Sequence, residues 1–141
     1  MVFGEILAGF IATAVMTIVM VYLGPMMALM PKNWNMITDG LGGMMNKMMG
    51  VSKSMGWLAH FTVGSILHPY VFALVWQLIF GGLLGGASFY VYVLVFAVMM
   101  IMMFPMLGVP SDFKNKMMMG VIVVHLIYAV TYIYTAPLFN F

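Results

Sequence analysis

The side chains best able to do chemistry in this sequence are its three histidines, His60, His68 and His125. His60 and His68 share the apolar stretch 57–78, which lies inside a tract without Asp, Glu, Lys or Arg at residues 54–111. On an unbroken α-helix, eight residues set their directions about 80° apart, and Gly64 thins the face between them. Imidazoles within an apolar layer turn inward to find a partner. His60 and His125, on facing helices, can supply two axial ligands to a haem iron or hold a metal ion, with His68 a third candidate. The alternative is structural. Each histidine then hydrogen-bonds a hydroxyl or carbonyl on a neighbouring helix, with Thr62, Ser65, Tyr128 and Tyr132 available. Neither His-x-x-x-His nor Glu-x-x-His occurs.

The 20 methionines raise the question of copper, because thioethers are soft ligands for Cu(I). Met99, Met100, Met102, Met103 and Met106 cluster together, and Met117, Met118 and Met119 follow a short loop. They continue runs of Val, Ile and Phe without a fixed spacing beside His or Cys, as flexible apolar filler does. The expectation is therefore no resident cofactor and no metal, with haem or copper as the alternative. Catalysis is not expected either. The acids are Glu5, Asp39 and Asp112, spread over an N-terminus and two loops, and no nucleophile–base pair is evident. Glu5 reads as an interfacial carboxylate at a helix start. The absence of cysteine excludes disulfides, thiolate metal sites and thiol catalysis. The glycines at 81, 82, 85 and 86 have no lysine beside them and read as a turn rather than a phosphate cradle. For a transporter, Gln77 and the histidines are the only intramembrane polar candidates.

The elements that must position these residues follow from composition. A chain that is 65% hydrophobic and 6% charged, with a mean hydropathy of +1.14, cannot cover a soluble surface. The predicted class is an all-α polytopic membrane protein with one domain, 1–141. Four transmembrane helices are expected, at about 6–30 (bent at Pro25), 56–80, 88–107 and 117–135. The loop 31–55 holds a short interfacial helix with Met44, Met45, Met48 and Met49 on one face and Asn46 and Lys47 opposite. All five lysines fall in the first and third loops, which places those loops in the cytoplasm and both termini on the non-cytoplasmic side. With no arginine and a net charge of +2, nucleic acid is excluded as a partner.

Small residues recur at Gly4, Ala8 and Ala12, with Gly9 and Thr13 beside them, and predict a helix-packing face, as does Gly64. Pro69 lacks an N–H, so an α-helical register leaves the Ser65 carbonyl without its donor. The halves share a short pattern: Pro25-Met26, Pro31, lysines and His60-x-x-x-Gly64, against Pro105-Met106, Pro110, lysines and His125-x-x-x-Ala129. Two repeated helical hairpins would account for it, with His60 and His125 as symmetry mates.

The segment Ala8-Gly-Phe-Ile-Ala-Thr-Ala-Val-Met-Thr17, the run Trp57-Leu-Ala-His60-Phe-x-x-Gly64, and His125-Leu-x-Tyr128 resemble a family of small, uncharacterised bacterial four-helix integral membrane proteins. The resemblance covers most of the chain and implies the four-span architecture, without catalytic residues to carry over. The expected function is a non-catalytic accessory subunit of a larger membrane complex, of the oxidase, monooxygenase or photosynthetic kind. Its partners would be other integral membrane subunits and lipids, in a bacterial cytoplasmic or intracytoplasmic membrane. The alternatives are a small haem- or copper-binding protein and a small homo-oligomeric transporter.

Overall fold

Prolines decide where two of the long helices of this protein change pitch. The computed structural model describes residues 2–80 and 86–139, without the side chains at 2, 72, 73, 76, 77, 80, 86 and 87. Among these residues every regular element is helical and there is no strand. Helix α1 runs over Val2–Ile18, widens into a π turn at Val19–Leu23 and finishes as Gly24–Met26. Helix α2 begins with a π turn, Met36–Leu41, and continues as Gly42–Met49. Helix α3 is Met55–Thr62, a π turn at Val63–Leu67 and His68–Phe80. Then come α4 (Gly86–Met102), the short α5 (Phe104–Leu107) and α6 (Lys114–Thr135), which has 3₁₀ turns at Ser111–Phe113 and Ala136–Phe139 on its flanks.

The π turns of α1 and α3 have one cause. Each ends two residues before a proline, Pro25 or Pro69. The preceding residue closes an i→i−5 bond, Gly24 N–H to the Val19 carbonyl and His68 N–H to the Val63 carbonyl. In a normal α-turn the proline ring collides with the carbonyl four residues back and ends the helix. Widening the turn by one residue lets the helix continue. The end of α1 is a Schellman motif: Ala28 N–H donates to the Pro25 carbonyl at 3.2 Å and Leu29 N–H to Gly24 at 2.9 Å, with Ala28 at φ 54°.

Helix α6 is the centre of the bundle, with α1 and α4 packed along it, while α1 also crosses the π turn of α3. The buried stripe on α4 is Phe89, Val93 and Ala97, and on α6 it is Met117, Val121, Val124 and Tyr128. The opposite faces are no more polar: Val91, Val95 and Val98 on α4 and Met119, Val123 and Val130 on α6 are exposed. A helix apolar all round needs an apolar environment on both sides.

Four spans were expected. Among the described residues, two helices are long and apolar enough to cross a membrane, Phe3–Met26 and Ser111–Phe139, and Ser88–Met102 is a shorter apolar helix. The third expected span is shorter because Met103 leaves the helix as a turn, with Pro105 in the first turn of α5. The first ends at Met26 rather than residue 30, because the left-handed Ala28 terminates it. The fourth starts earlier, with Lys114 and Lys116 in its first turn. The glycine reversal at 81–85 lies outside the described residues, as does the side chain of Gln77.

In the first loop, helix α2 buries Met36, Gly42 and Gly43, leaves Met44 and Met45 half-buried, and exposes Met48 and Met49, each at 68%. A Cβ on Gly42 would strike the Lys53 carbonyl, and one on Gly56 the Ile37 carbonyl, so only glycine permits this approach. Asn35 caps the segment, its Oδ1 accepting from Ile37 N–H at 2.8 Å and Thr38 N–H at 3.3 Å. Asp39 Oδ2 accepts from Asn35 N–H at 2.9 Å, and its other oxygen lies 3.6 Å from Lys53 Nζ. This reciprocal cap occupies the Asp39 carboxylate structurally.

Candidate functional site

The three π turns converge on one internal cavity of about 220 Å³. The first contributes Met20, the second Met36, Ile37 and Leu41, and the third Val63 and Gly64. A widened turn carries one extra residue, and that residue takes up about 100° of rotation. In α3 this cancels the expected angle of about 80° between His60 and His68. Both therefore line the cavity, and His125 on α6 lines it too. All three histidines of the chain thus meet at one place.

Each ring is held differently. His60 Nε2 lies 2.8 Å from Thr17 Oγ1 on α1. The Thr17 hydroxyl hydrogen points at the Thr13 carbonyl, 2.6 Å away, so His60 is the donor to Thr17. His125 Nδ1 lies 2.7 Å from the Val121 carbonyl of its own helix. A carbonyl only accepts, so Nδ1 carries the proton and Nε2 of the neutral ring keeps a lone pair. His68 is 4% exposed, and its Nδ1 has no hydrogen-bond partner. Its ring packs edge-on to Phe96 at 3.9 Å between centroids, with Tyr92 at 5.4 Å and Tyr128 at 5.3 Å. Phe96 also lies 5.9 Å from the His125 ring, between centroids.

The Pro69 consequence falls one residue earlier than an α-register implies. With His68 N–H bonded to Val63, the next bond in the π register would run from residue 69 to Gly64. Proline cannot make it, so the orphaned carbonyl is that of Gly64, not Ser65. Tyr128 Oη supplies the missing donor, at 2.6 Å from Gly64 O. Tyr128 is 1% exposed, and this bond ties α6 to the π turn of α3.

The small residues predicted to pack lie at close approaches. A Cβ on Gly64 would strike the Thr13 side chain, one on Gly9 would come 2.9 Å from the Ser65 carbonyl, and one on Gly4 would strike the Phe139 carbonyl. Ala8 and Ala12 are fully buried. These contacts bring α1 close enough for Thr17 to reach His60.

The wall is almost wholly apolar, with Met16, Met20, Met36, Met100 and Met103 around the imidazoles. Among the described residues, no group of three or more His, Cys, Asp or Glu side chains is placed to share a metal ion. The pairing of His60 with His125 as iron ligands meets two obstacles. Thr17 occupies His60 Nε2, and the volume is below the roughly 300 Å³ at which pockets for drug-sized ligands begin. Sequence reasoning missed Met36, Ile37, Leu41 and Phe96. For the first three, the signal was Asn35, a helix-cap residue placed directly before Met36 and Ile37. Compared with protein-family models, curated proteins and solved structures, the chain matches none.

Proposed function

We propose that this chain is a non-catalytic, four-span integral membrane protein whose bundle core binds a small neutral molecule. The observation that carries the reading is the convergence of all three histidines on an apolar cavity of about 220 Å³. An engineered apolar cavity of about 150 Å³ already binds benzene, so this volume suffices for a small ring. The four proposed spans follow the helices, at about 6–26, 56–80, 88–102 and 114–135, in a bacterial cytoplasmic or intracytoplasmic membrane. The lysine loops face the cytoplasm and both termini the other side. The outward apolar residues of α4 and α6 and the lysine distribution support this topology.

The test uses the purified protein in mild detergent, with benzene or xenon as the probe. A ligand that binds only the folded state stabilises it, by about 2.7 kcal/mol at a hundredfold excess over Kd. The expected result is a rise in unfolding temperature that disappears in Val124→Phe, whose ring fills the cavity. No rise in the unaltered protein would sink the reading.

A second reading, as an accessory subunit of a larger membrane complex, draws on the outward methionines Met26, Met27, Met48, Met49 and Met55. Exposed methionines suit irregular protein surfaces. Native purification yielding a lone monodisperse species, with no other chain attached, excludes it.

A further inference from the structure

We infer that the ligand of this cavity is an uncharged lipophilic molecule that enters from the bilayer, through a lateral mouth between α3 and α4. The inference rests on the reading of the cavity as a binding site and adds the route and the ligand class. Burial of the wall locates the mouth. Toward α1 and α6 the lining is buried, at Met16 and Met20 on one helix and Val121 and Val124 on the other. Met36 and Ile37 of α2 and Leu107 of α5 close one end, and His68 and Tyr128 close the other. The lining residues that keep part of their surface accessible are Leu41, His60, Val63, Phe96, Met100 and Met103. Apart from Leu41 on α2, they belong to α3, to α4 or to the turn that ends α4.

Helix packing agrees with that placement. Helices α3 and α4 touch at His68, whose ring meets Tyr92 and Phe96. Elsewhere among the described residues the backbones of these two helices scarcely approach each other. The surface beside the mouth is apolar: Leu67 and Met99 are 46% and 54% exposed, and residues 54–111 hold no Asp, Glu, Lys or Arg. In the four-span reading this surface meets acyl chains, not water. An apolar cavity of this kind stays dry, so a solute arriving from water finds no hydrated path into it. A carboxylate or ammonium group would enter this wall without a counter-charge and is excluded. A lipophile exchanges one apolar medium for another and meets neither barrier. Met100 and Met103 suit the entrance, because an unbranched thioether with three rotatable bonds swings aside without moving its helix.

Equilibrium binding does not depend on the route, so the test is spatial and kinetic. It follows the methionine methyl resonances of the unaltered protein in lipid nanodiscs, with benzene as the probe. A nitroxide carried on the lipid acyl chains should broaden Met100 and Met103, with the exposed Met99 as the reference. A gadolinium chelate confined to water should leave all three sharp. Benzene should shift Met16 and Met20, which line the cavity behind the mouth. Val63→Trp plugs the mouth and should slow benzene exchange about tenfold, the effect of roughly 1.4 kcal/mol added to the entry barrier. Occupancy at saturating benzene should remain. Should that variant fail to fold, the broadening measured on the unaltered protein decides alone. Met100 and Met103 broadened by the chelate, or untouched by the nitroxide, overturn the lateral route and leave the cavity reading intact. Unchanged exchange in folded Val63→Trp does the same. Unshifted Met16 and Met20 at saturating benzene overturn both.

Discussion

Replacing Tyr128 by Phe tests whether proline chemistry organises the cavity. The substitution removes one oxygen from a fully buried ring and leaves its packing against Phe89 and His68 in place. What it deletes is the 2.6 Å bond to the Gly64 carbonyl. That carbonyl cannot turn to its own helix, because residue 69 in the π register is proline. Interhelical hydrogen bonds in membrane proteins average about 0.6 kcal/mol, with the largest near 1.7. A buried acceptor left with no partner costs about 1–3 kcal/mol. The Gly64 carbonyl has no local substitute, so Tyr128→Phe should cost about 1–2 kcal/mol. Pro69→Ala restores an N–H at that position. In its background the same Tyr128→Phe change should cost under about 0.5 kcal/mol, giving a coupling energy of about 1 kcal/mol. The assay is equilibrium unfolding in mixed micelles by titration with a denaturing detergent, followed by circular dichroism, for all four members of the cycle. Equal costs of Tyr128→Phe in the two backgrounds would refute the link between Pro69, the π turn and Tyr128.

Three further outcomes follow from the same geometry. Gly64→Ala places a methyl group into the Thr13 side chain and should destabilise by about 1–3 kcal/mol in the same titration; Thr13→Ala should recover most of that loss. Ala28→Gly relieves the left-handed Schellman position at φ 54° and should stabilise by about 1 kcal/mol, since glycine adopts that region without the Cβ penalty. The chain has no cysteine, so Lys47→Cys and Lys116→Cys report topology against a clean background when treated with a membrane-impermeant maleimide. Both should label only after the cytoplasmic side is opened, while Gly82→Cys labels in intact cells; labelling of Lys47→Cys and Lys116→Cys from opposite sides contradicts the four-span proposal.

The helical class and the rough course of the long apolar helices were legible in the residues, because apolar length and proline or glycine punctuation are local properties. The small-residue positions on α1 were legible too, since Gly4, Ala8, Gly9, Ala12 and Thr13 fall at helical spacing. Interhelical partners were not. The predicted hydroxyls for the histidines included neither Thr17, which His60 meets, nor the Val121 carbonyl of His125's own helix. Partner choice depends on crossing angle and depth, which no spacing within one helix encodes.

The three histidines themselves were visible from the start as residues in need of an inward partner. Their types and apolar surroundings alone determined that much. Regular α-helical geometry set His60 and His68 about 80° apart, and the missing N–H of Pro69 pointed to Ser65. The tertiary structure decided otherwise on both counts. A single widened turn rotated His68 back toward His60 and moved the orphaned carbonyl to Gly64, within reach of Tyr128. Whether a helix meets proline by bending, ending or widening depends on what the rest of the fold offers the freed carbonyl. Here a tyrosine 64 residues away made that offer.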